Sequence, residues 1–274
     1  MKRLLLPAIL LLASVQFYSC SDSDNTQAPN NNNPTLQLSK IDSGFATGSS
    51  SIVALYSESS LKTGYNKIYA AVYDSATGAA ITDAHVSITP MMDMGTMMHS
   101  SPKEDPTEDI VEGKWFKGAV VFIMPSNSTQ LWELHVHVHN HTAPGMPSGE
   151  VMFSGLSVAD NSTKYKTLQA SDGSRLYLSY TEPSKPIVGI NDLEFTVHKR
   201  TDMMNYPPDE TFTTTIYPWM PSMGHGSPNN VDPVASGQGH YKGKVNFTMT
   251  GDWQIKVYLQ KNGVTDSTYF DLIF

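Results

Sequence analysis

Between Pro90 and His99 the chain reads Pro-Met-Met-Asp-Met-Gly-Thr-Met-Met-His, five methionines and one histidine in ten residues. A thioether is a soft, neutral ligand, and among biologically abundant metals it suits Cu(I) above all. Imidazole can share such a site, so Met92, Met94, Met98 and His99 are candidate ligands drawn from one segment. A second segment, Pro218-Trp219-Met220-Pro221-Ser222-Met223-Gly224-His225, repeats the idea in fewer residues. Its candidates are Met220, Met223 and His225, with His240 at the far end of the same loop. No helix or strand period fits the first run, and Gly95 with Ser100-Ser101-Pro102 reads as loop chemistry. The competing reading is packing: methionine fills irregular gaps, so Met92 and Met220, the positions common to both segments, could plug one end of a fold.

A different pattern follows in Trp132-Glu133-Leu134-His135-Val136-His137-Val138-His139. In a strand, Trp132, Leu134, Val136 and Val138 face one way and His135, His137 and His139 the other. Burial does not account for histidines on the solvent side. Successive ones stand roughly 6.5–7 Å apart along a strand, a spacing at which two imidazoles can share one ion. Zn(II), Cu(II) or Ni(II) suits such a set better than Cu(I). The plainer alternative is a polar face that happens to be histidine. His85 and His198 fall in expected strands and read as structural or solvent-facing.

The elements that must carry these groups are strands. Segments rich in Val, Ile, Tyr, Phe and Thr alternate with turn signals such as Ser75-Ala76-Thr77-Gly78 and Ser171-Asp172-Gly173. Strands are expected near 51–56, 66–73, 84–89, 117–124, 131–139 and 150–157, then 165–170, 174–180, 191–198, 211–217, 242–248, 252–260 and 265–273. That density is the signature of a β-sandwich. The chain also repeats itself. Gly64-Tyr65-Asn66 matches Gly189-Ile190-Asn191, Ile88-Thr89-Pro90 matches Ile216-Tyr217-Pro218, His99 matches His225, and Phe116-Lys117-Gly118 matches Tyr241-Lys242-Gly243. Phe122, Met124 and Trp132 fall on Phe247, Met249 and Trp253, so the register holds throughout and implies tandem duplication. The expected fold is all-β, two tandem β-sandwiches at 46–158 and 159–274.

These residues carry a family resemblance. A Gly-x-Asn before a strand, then Asp83-Ala84 leading a strand into a Pro-Met loop, resembles the YtkA-like and FixH-like domains. So does Met223-Gly224-His225-Gly226 followed by Gly239-His240-Tyr241-Lys242-Gly243-Lys244-Val245-Asn246-Phe247 and the late Gly251-Asp252-Trp253. The second repeat is similar from Gly189 to Leu259; the first departs by two extra residues in its Met segment and by Phe116 in place of the tyrosine. The resemblance implies a small immunoglobulin-like sandwich. Its members stand beside copper-handling systems, including a copper-ATPase operon and heavy-metal efflux subunits, which hints at copper without establishing an activity.

Met1-Lys2-Arg3 and the apolar run Leu4 to Val15 read as a signal segment over 1–19, too short to span a bilayer comfortably. Phe17-Tyr18-Ser19-Cys20 resembles a bacterial lipobox, although Tyr18 is bulkier than the pattern allows. Cys20 is the only cysteine and stands where lipid would be attached; with Ser21, Asp22 and Asp24 after it, the segment resembles those of Bacteroidetes-type outer-membrane lipoproteins, which implies a protein facing the periplasm or the cell surface. Its contact with the membrane would be through that lipid alone. Residues 20–45, rich in Ser, Asn, Asp and Thr, read as a flexible tether. The net charge of -8 makes nucleic acid an unexpected partner. Neither a nucleophile motif nor a phosphate-binding glycine loop occurs, and Asp105, Glu108, Asp109 and Glu112 read as solubilising, so no enzyme is expected. The expected function is an envelope lipoprotein that binds copper or a related soft metal as a chaperone, buffer or adaptor for an efflux or transport protein. The rival reading is a module that presents loops to a protein or glycan without metal.

Overall fold

In Trp132–Asn140 every second side chain is buried and those between are not, and most of Asp252–Lys261 repeats the pattern. Strands of this kind bury one face only, so two sheets must pack face to face. A computed structural model describes residues 37–274, in which every regular element is a strand. The signal segment, Cys20 and most of the expected tether lie outside the described residues.

The first sandwich contains β1 (Ser39–Ala46), β2 (Ser51–Ser57), β3 (Gly64–Asp74), β4 (Ala80–Ile81), β5 (Ala84–Asp93), β6 (Met98–His99), β7 (Lys103–Glu104), β8 (Phe116–Phe122), β9 (Trp132–Asn140) and β10 (Ser148–Leu156). One sheet runs β1-β2-β3-β8-β7, with β4 on β3, and the other β10-β9-β5-β6. The second sandwich contains β11 (Tyr165–Gln169), β12 (Arg175–Glu182), β13 (Gly189–Arg200), β14 (Thr213–Met220), β15 (His225–Gly226), β16 (Val231–Ala235), β17 (His240–Phe247), β18 (Asp252–Lys261) and β19 (Val264–Ile273). Its sheets run β11-β12-β13-β17-β16 and β15-β14-β18-β19. Apart from β4, the two strand orders correspond one to one. Each is an immunoglobulin-like β-sandwich.

The residues that align the repeats are the ones that build each core. Trp132 and Trp253 are fully buried, and each donates its indole N–H to a backbone carbonyl at 3.0 Å, of Met124 and Met249 respectively. Phe122 and Phe247 pack on these tryptophans with ring centroids 5.1 and 5.4 Å away. Burying one large apolar side chain contributes about 1.5–3 kcal/mol, so the matching tryptophan and phenylalanine anchor each sandwich. The Gly-x-Asn motif also has a physical role. Asn66 donates from Nδ2 to the carbonyls of Lys62 and Gly64, both at 2.7 Å. Asn191 donates likewise to Ile187 at 2.8 Å and Gly189 at 2.9 Å. Each asparagine thereby closes the turn entering the central strand, and Gly64 and Gly189 take positive φ there (92° and 106°).

A small aromatic cluster joins the sandwiches: Val121 packs with Tyr165, Tyr177 and Tyr206. The Tyr165 hydroxyl donates to the Ile123 carbonyl at 2.9 Å, and Thr63 N–H donates to Ala159 at 2.8 Å.

Two expectations need correction. The tether does not reach residue 45, because Ser39–Ala46 pairs with β2 along its length. Its polar sequence suits an exposed edge strand, whose stability comes from the ladder rather than from side-chain burial. The Met segment is not an irregular loop either. The inward alternation Val86, Ile88, Pro90, Met92 continues through it. Pro90 forfeits no ladder bond: its carbonyl points away from β9, accepting from Ser100 Oγ at 2.8 Å, and a strand residue's N–H lies on the same side as its carbonyl.

Candidate metal centre

The first Met/His segment is a hairpin between β5 and β6, with Met92 opposite His99 and Asp93 opposite Met98. Met94 N–H donates to the Met97 carbonyl at 2.8 Å to close the turn, and Gly95 supplies the left-handed residue (φ 81°). Met92 is fully buried, His99 is 3% exposed and Met98 is 45% exposed. Alternation therefore splits the expected ligand set: Met92 and His99 face inward and Met98 faces solvent. Met94 is half-buried against the core and stays on the inner side.

His99 is the most informative group. Its Nδ1–H donates to the Ser100 carbonyl at 2.9 Å. A carbonyl only accepts, so in the neutral ring the proton sits on Nδ1 and the lone pair on Nε2. That Nε2 is buried and has no hydrogen-bond partner among the described residues. The ring also meets Trp132 edge to face, with centroids 5.2 Å apart.

The second segment repeats the geometry with less burial. Met220 lies opposite His225 between β14 and β15. His225 Nδ1–H donates to the Gly226 carbonyl at 3.0 Å, and its ring approaches Trp253 at 5.9 Å. Met220 is buried, and its methyl lies so near Gly251 that a Cβ there would stand 2.3 Å away. Met223, on the turn, is 60% exposed. Met92 and Met220 are thus both buried at the hairpin ends of their sandwiches, whereas Met223 faces solvent.

His240 is engaged elsewhere. Its Nε2 lies 2.8 Å from Glu104 Oε1 of the first sandwich and its Nδ1 2.7 Å from Glu194 Oε1 of the second. Both ring nitrogens are committed to carboxylates, which leaves no lone pair for an ion; His240 is a clasp between sandwiches. Burial opposes its charge, but the hydrogen bonds and charges of Glu104 and Glu194 outweigh that and raise its pKa. Its neighbour His198 is pushed down to about 4, mainly by burial.

His135, His137 and His139 lie on the outer face of β9, half-buried. They do not act as one row. Glu133 and Glu150 both approach His135 at 3.3 Å, one at each ring nitrogen. His137 stands opposite Ser87 and Glu150. His139 stands opposite His85, and its ring is 4.8 Å from that of His141. Among the described residues no three imidazole or carboxylate groups already surround one point.

Sequence reasoning missed the company of the first hairpin. Ser100 N–H donates to the Met203 carbonyl at 2.9 Å, so the turn carrying Met203 and Met204, both exposed, abuts the residue after His99. The adjacent methionines were visible in the chain; no local pattern says that this turn reaches β6.

Residues 169–258, within the second sandwich, match the sequence model of the YtkA-like family. No curated protein matches the chain. Among solved structures the chain is similar to the Escherichia coli adhesin FdeC at 18% identity, covering 84% of this chain and 65% of the adhesin, with TM-score 0.26. It is also similar to domains 5-6 of the S-layer protein SbsC (9% identity, 86% of this chain and 98% of that one, TM-score 0.28). A third is the titin immunoglobulin tandem A164-A165 (10% identity, 78% and 90% coverage, TM-score 0.19).

Proposed function

We propose that this protein binds Cu(I) at the hairpin end of the first sandwich and serves in the cell envelope as a metal chaperone, buffer or adaptor for an efflux system. The observation that carries this reading is the His99 ring, tied at Nδ1 and buried at an unpartnered Nε2, directly across the ladder from the Met92 thioether. A buried acceptor without a donor costs about 1–3 kcal/mol. Coordination of a soft cation would offset that cost, and a ring fixed through Nδ1 is already oriented to ligate through Nε2. Met94, half-buried at the turn, supplies a further thioether. Met98 and the second hairpin's His225 and Met223 are outlying groups through which an ion could arrive. The lipid on Cys20, under this reading, holds the protein at the outer membrane.

The test is an anaerobic Cu(I) competition with a chromogenic chelator. Met92→Leu keeps the volume and removes the sulfur. His99→Gln and Met94→Leu remove the other two donors. Each should lower Cu(I) affinity by tenfold or more while the melting temperature without metal moves little. Unchanged affinity in all three would sink the reading.

One observation favours the rival, a module that binds a protein or glycan. Met97, Met98 and Met223 expose adaptable apolar side chains at corresponding hairpin tips. The discriminating measurement is thermal shift with Cu(I), Cu(II) and Zn(II): a ligand of the folded state raises the melting temperature, and an inert module stays put.

A further inference from the structure

Five of the nine histidines lie on one outer sheet surface, and three of them gather at one end of it. His85 on β5 stands directly opposite His139 on β9, so their Cβ atoms are about 4.5–5.5 Å apart and their rings share the outer face. His141 continues the β9 ladder, its N–H reaching the Asp83 carbonyl at 3.3 Å. Its ring lies 4.8 Å from that of His139. Two imidazoles bound to one tetrahedral ion hold their centroids roughly 5 Å apart, from N–metal lengths of about 2.0–2.1 Å. The spacing of His139 and His141 therefore already suits a shared ion.

The outer two histidines are also oriented. His85 Nδ1 lies 2.9 Å from Asp109 Oδ1, and His141 Nδ1 lies 2.7 Å from Asp83 Oδ1. In the neutral ring each Nδ1–H donates to its carboxylate, which leaves the lone pair on Nε2. A carboxylate behind a histidine is the arrangement that fixes the tautomer and raises ligand basicity in metal sites. Among the described residues the ring of His139 enters no hydrogen bond, so both of its nitrogens remain available. The His85 and His141 side chains are 52% and 24% exposed, so the rings can turn about their side-chain torsions to converge. His135 contrasts with them: carboxylates hold both of its nitrogens.

We propose that His85, His139 and His141, backed by Asp109 and Asp83, form a binding site for a borderline divalent cation such as Zn(II), separate from the Cu(I) hairpin. Three neutral imidazoles with solvent completing the shell are a donor set that Zn(II), Cu(II) and Ni(II) favour and that Cu(I) or Ca(II) does not. The site belongs to the first sandwich alone. On the second, Gln254, Lys256 and Tyr258 take the outward positions of β18, and the Lys256 ammonium lies over the Tyr217 and Trp219 rings at 5.9 and 5.3 Å.

The test is a ZnCl2 titration of the full chain followed by calorimetry. One ion per chain is expected, and His139→Ala or His141→Ala should weaken it by about a hundredfold. Asp109→Asn should weaken it by about tenfold, as loss of an orienting carboxylate does. His135→Ala and His99→Gln should leave Zn(II) affinity within twofold of the parent, and far-UV circular dichroism should be the same for every variant. Unaltered affinity in both His139→Ala and His141→Ala overturns the site, as does an equal loss in His135→Ala, which would place the ion farther along β9. Because His99→Gln is read separately with Cu(I), failure here does not touch the hairpin.

Discussion

On β9 the outward residues are Glu133, His135, His137 and His139; on its counterpart β18 they are Gln254, Lys256, Tyr258 and Gln260. The inward residues of the same strands are Trp132, Leu134, Val136 and Val138 against Trp253, Ile255, Val257 and Leu259. One core has been kept twice, while the outer surfaces have gone separate ways. The reason is packing density: an interior at crystal-like packing tolerates little change of volume, whereas a solvent-facing side chain is tested only by what it binds. The first surface gathers imidazoles and carboxylates. The second carries a fixed ammonium over two aromatic rings, which repels a cation. The hairpin tips differ in the same sense, with His99 sealed and His225 half open.

The cores should break together if this equivalence is physical. Trp132→Ala and Trp253→Ala should each cost about 3–5 kcal/mol in urea unfolding. A loss at one less than half that at the other would mean that the sandwiches are not held alike. Next in size, Met92→Ala should cost about 2–5 kcal/mol through the cavity it leaves, and Met92→Leu less than about 1.5 kcal/mol. The same pair at Met220 should behave the same in stability, and only the Met92 pair should change Cu(I) affinity.

The clasp between the sandwiches sharpens the comparison through pH. His240 has a folded pKa raised above its ordinary 6.5, so the folded state holds the extra proton. Its contribution is therefore complete below pH 6.5 and is lost as pH rises through the raised value. His198 works the other way. Its pKa is lowered to about 4, so the unfolded chain binds the proton first, and stability falls as pH drops from 6.5 toward 4. Melting temperature should peak near the ordinary histidine range and decline on both sides. His240→Gln should remove the alkaline decline and leave the acid one; retention of both arms would show that the clasp does not couple the sandwiches. The smallest effect belongs to Lys256→Ala, about 0.5–1 kcal/mol from its contact with Tyr217 and Trp219. Chemical denaturation at high precision would resolve it.

Much of this could be read from the chain. The thirteen expected strands all lie on strands, within about four residues at each end. They were legible because their side chains alternate against a core. The strands that escaped notice are β1, β4, β6, β7, β15 and β16, which are short or polar. Their pairing partners, not their own residues, specify them. At the site, Met92 and His99 were legible as chemistry and the packing of Met92 as an alternative, but the burial of His99 was not. His85, set aside as a strand residue, acquired its meaning only from facing His139 across the ladder.

Alternation and repeat by themselves determined that this chain makes two like sandwiches, which inner residues anchor them and that the β9 histidines face outward, because each follows from a period of two along a strand. Only the tertiary structure decided which ligands meet. Cross-strand register set His85 beside His139 and Met92 opposite His99, and the packing of one sandwich on the other brought Glu104 to His240. Register is a relation between segments dozens of residues apart, and it is fixed by the packing of whole sheets rather than by any pattern within one segment.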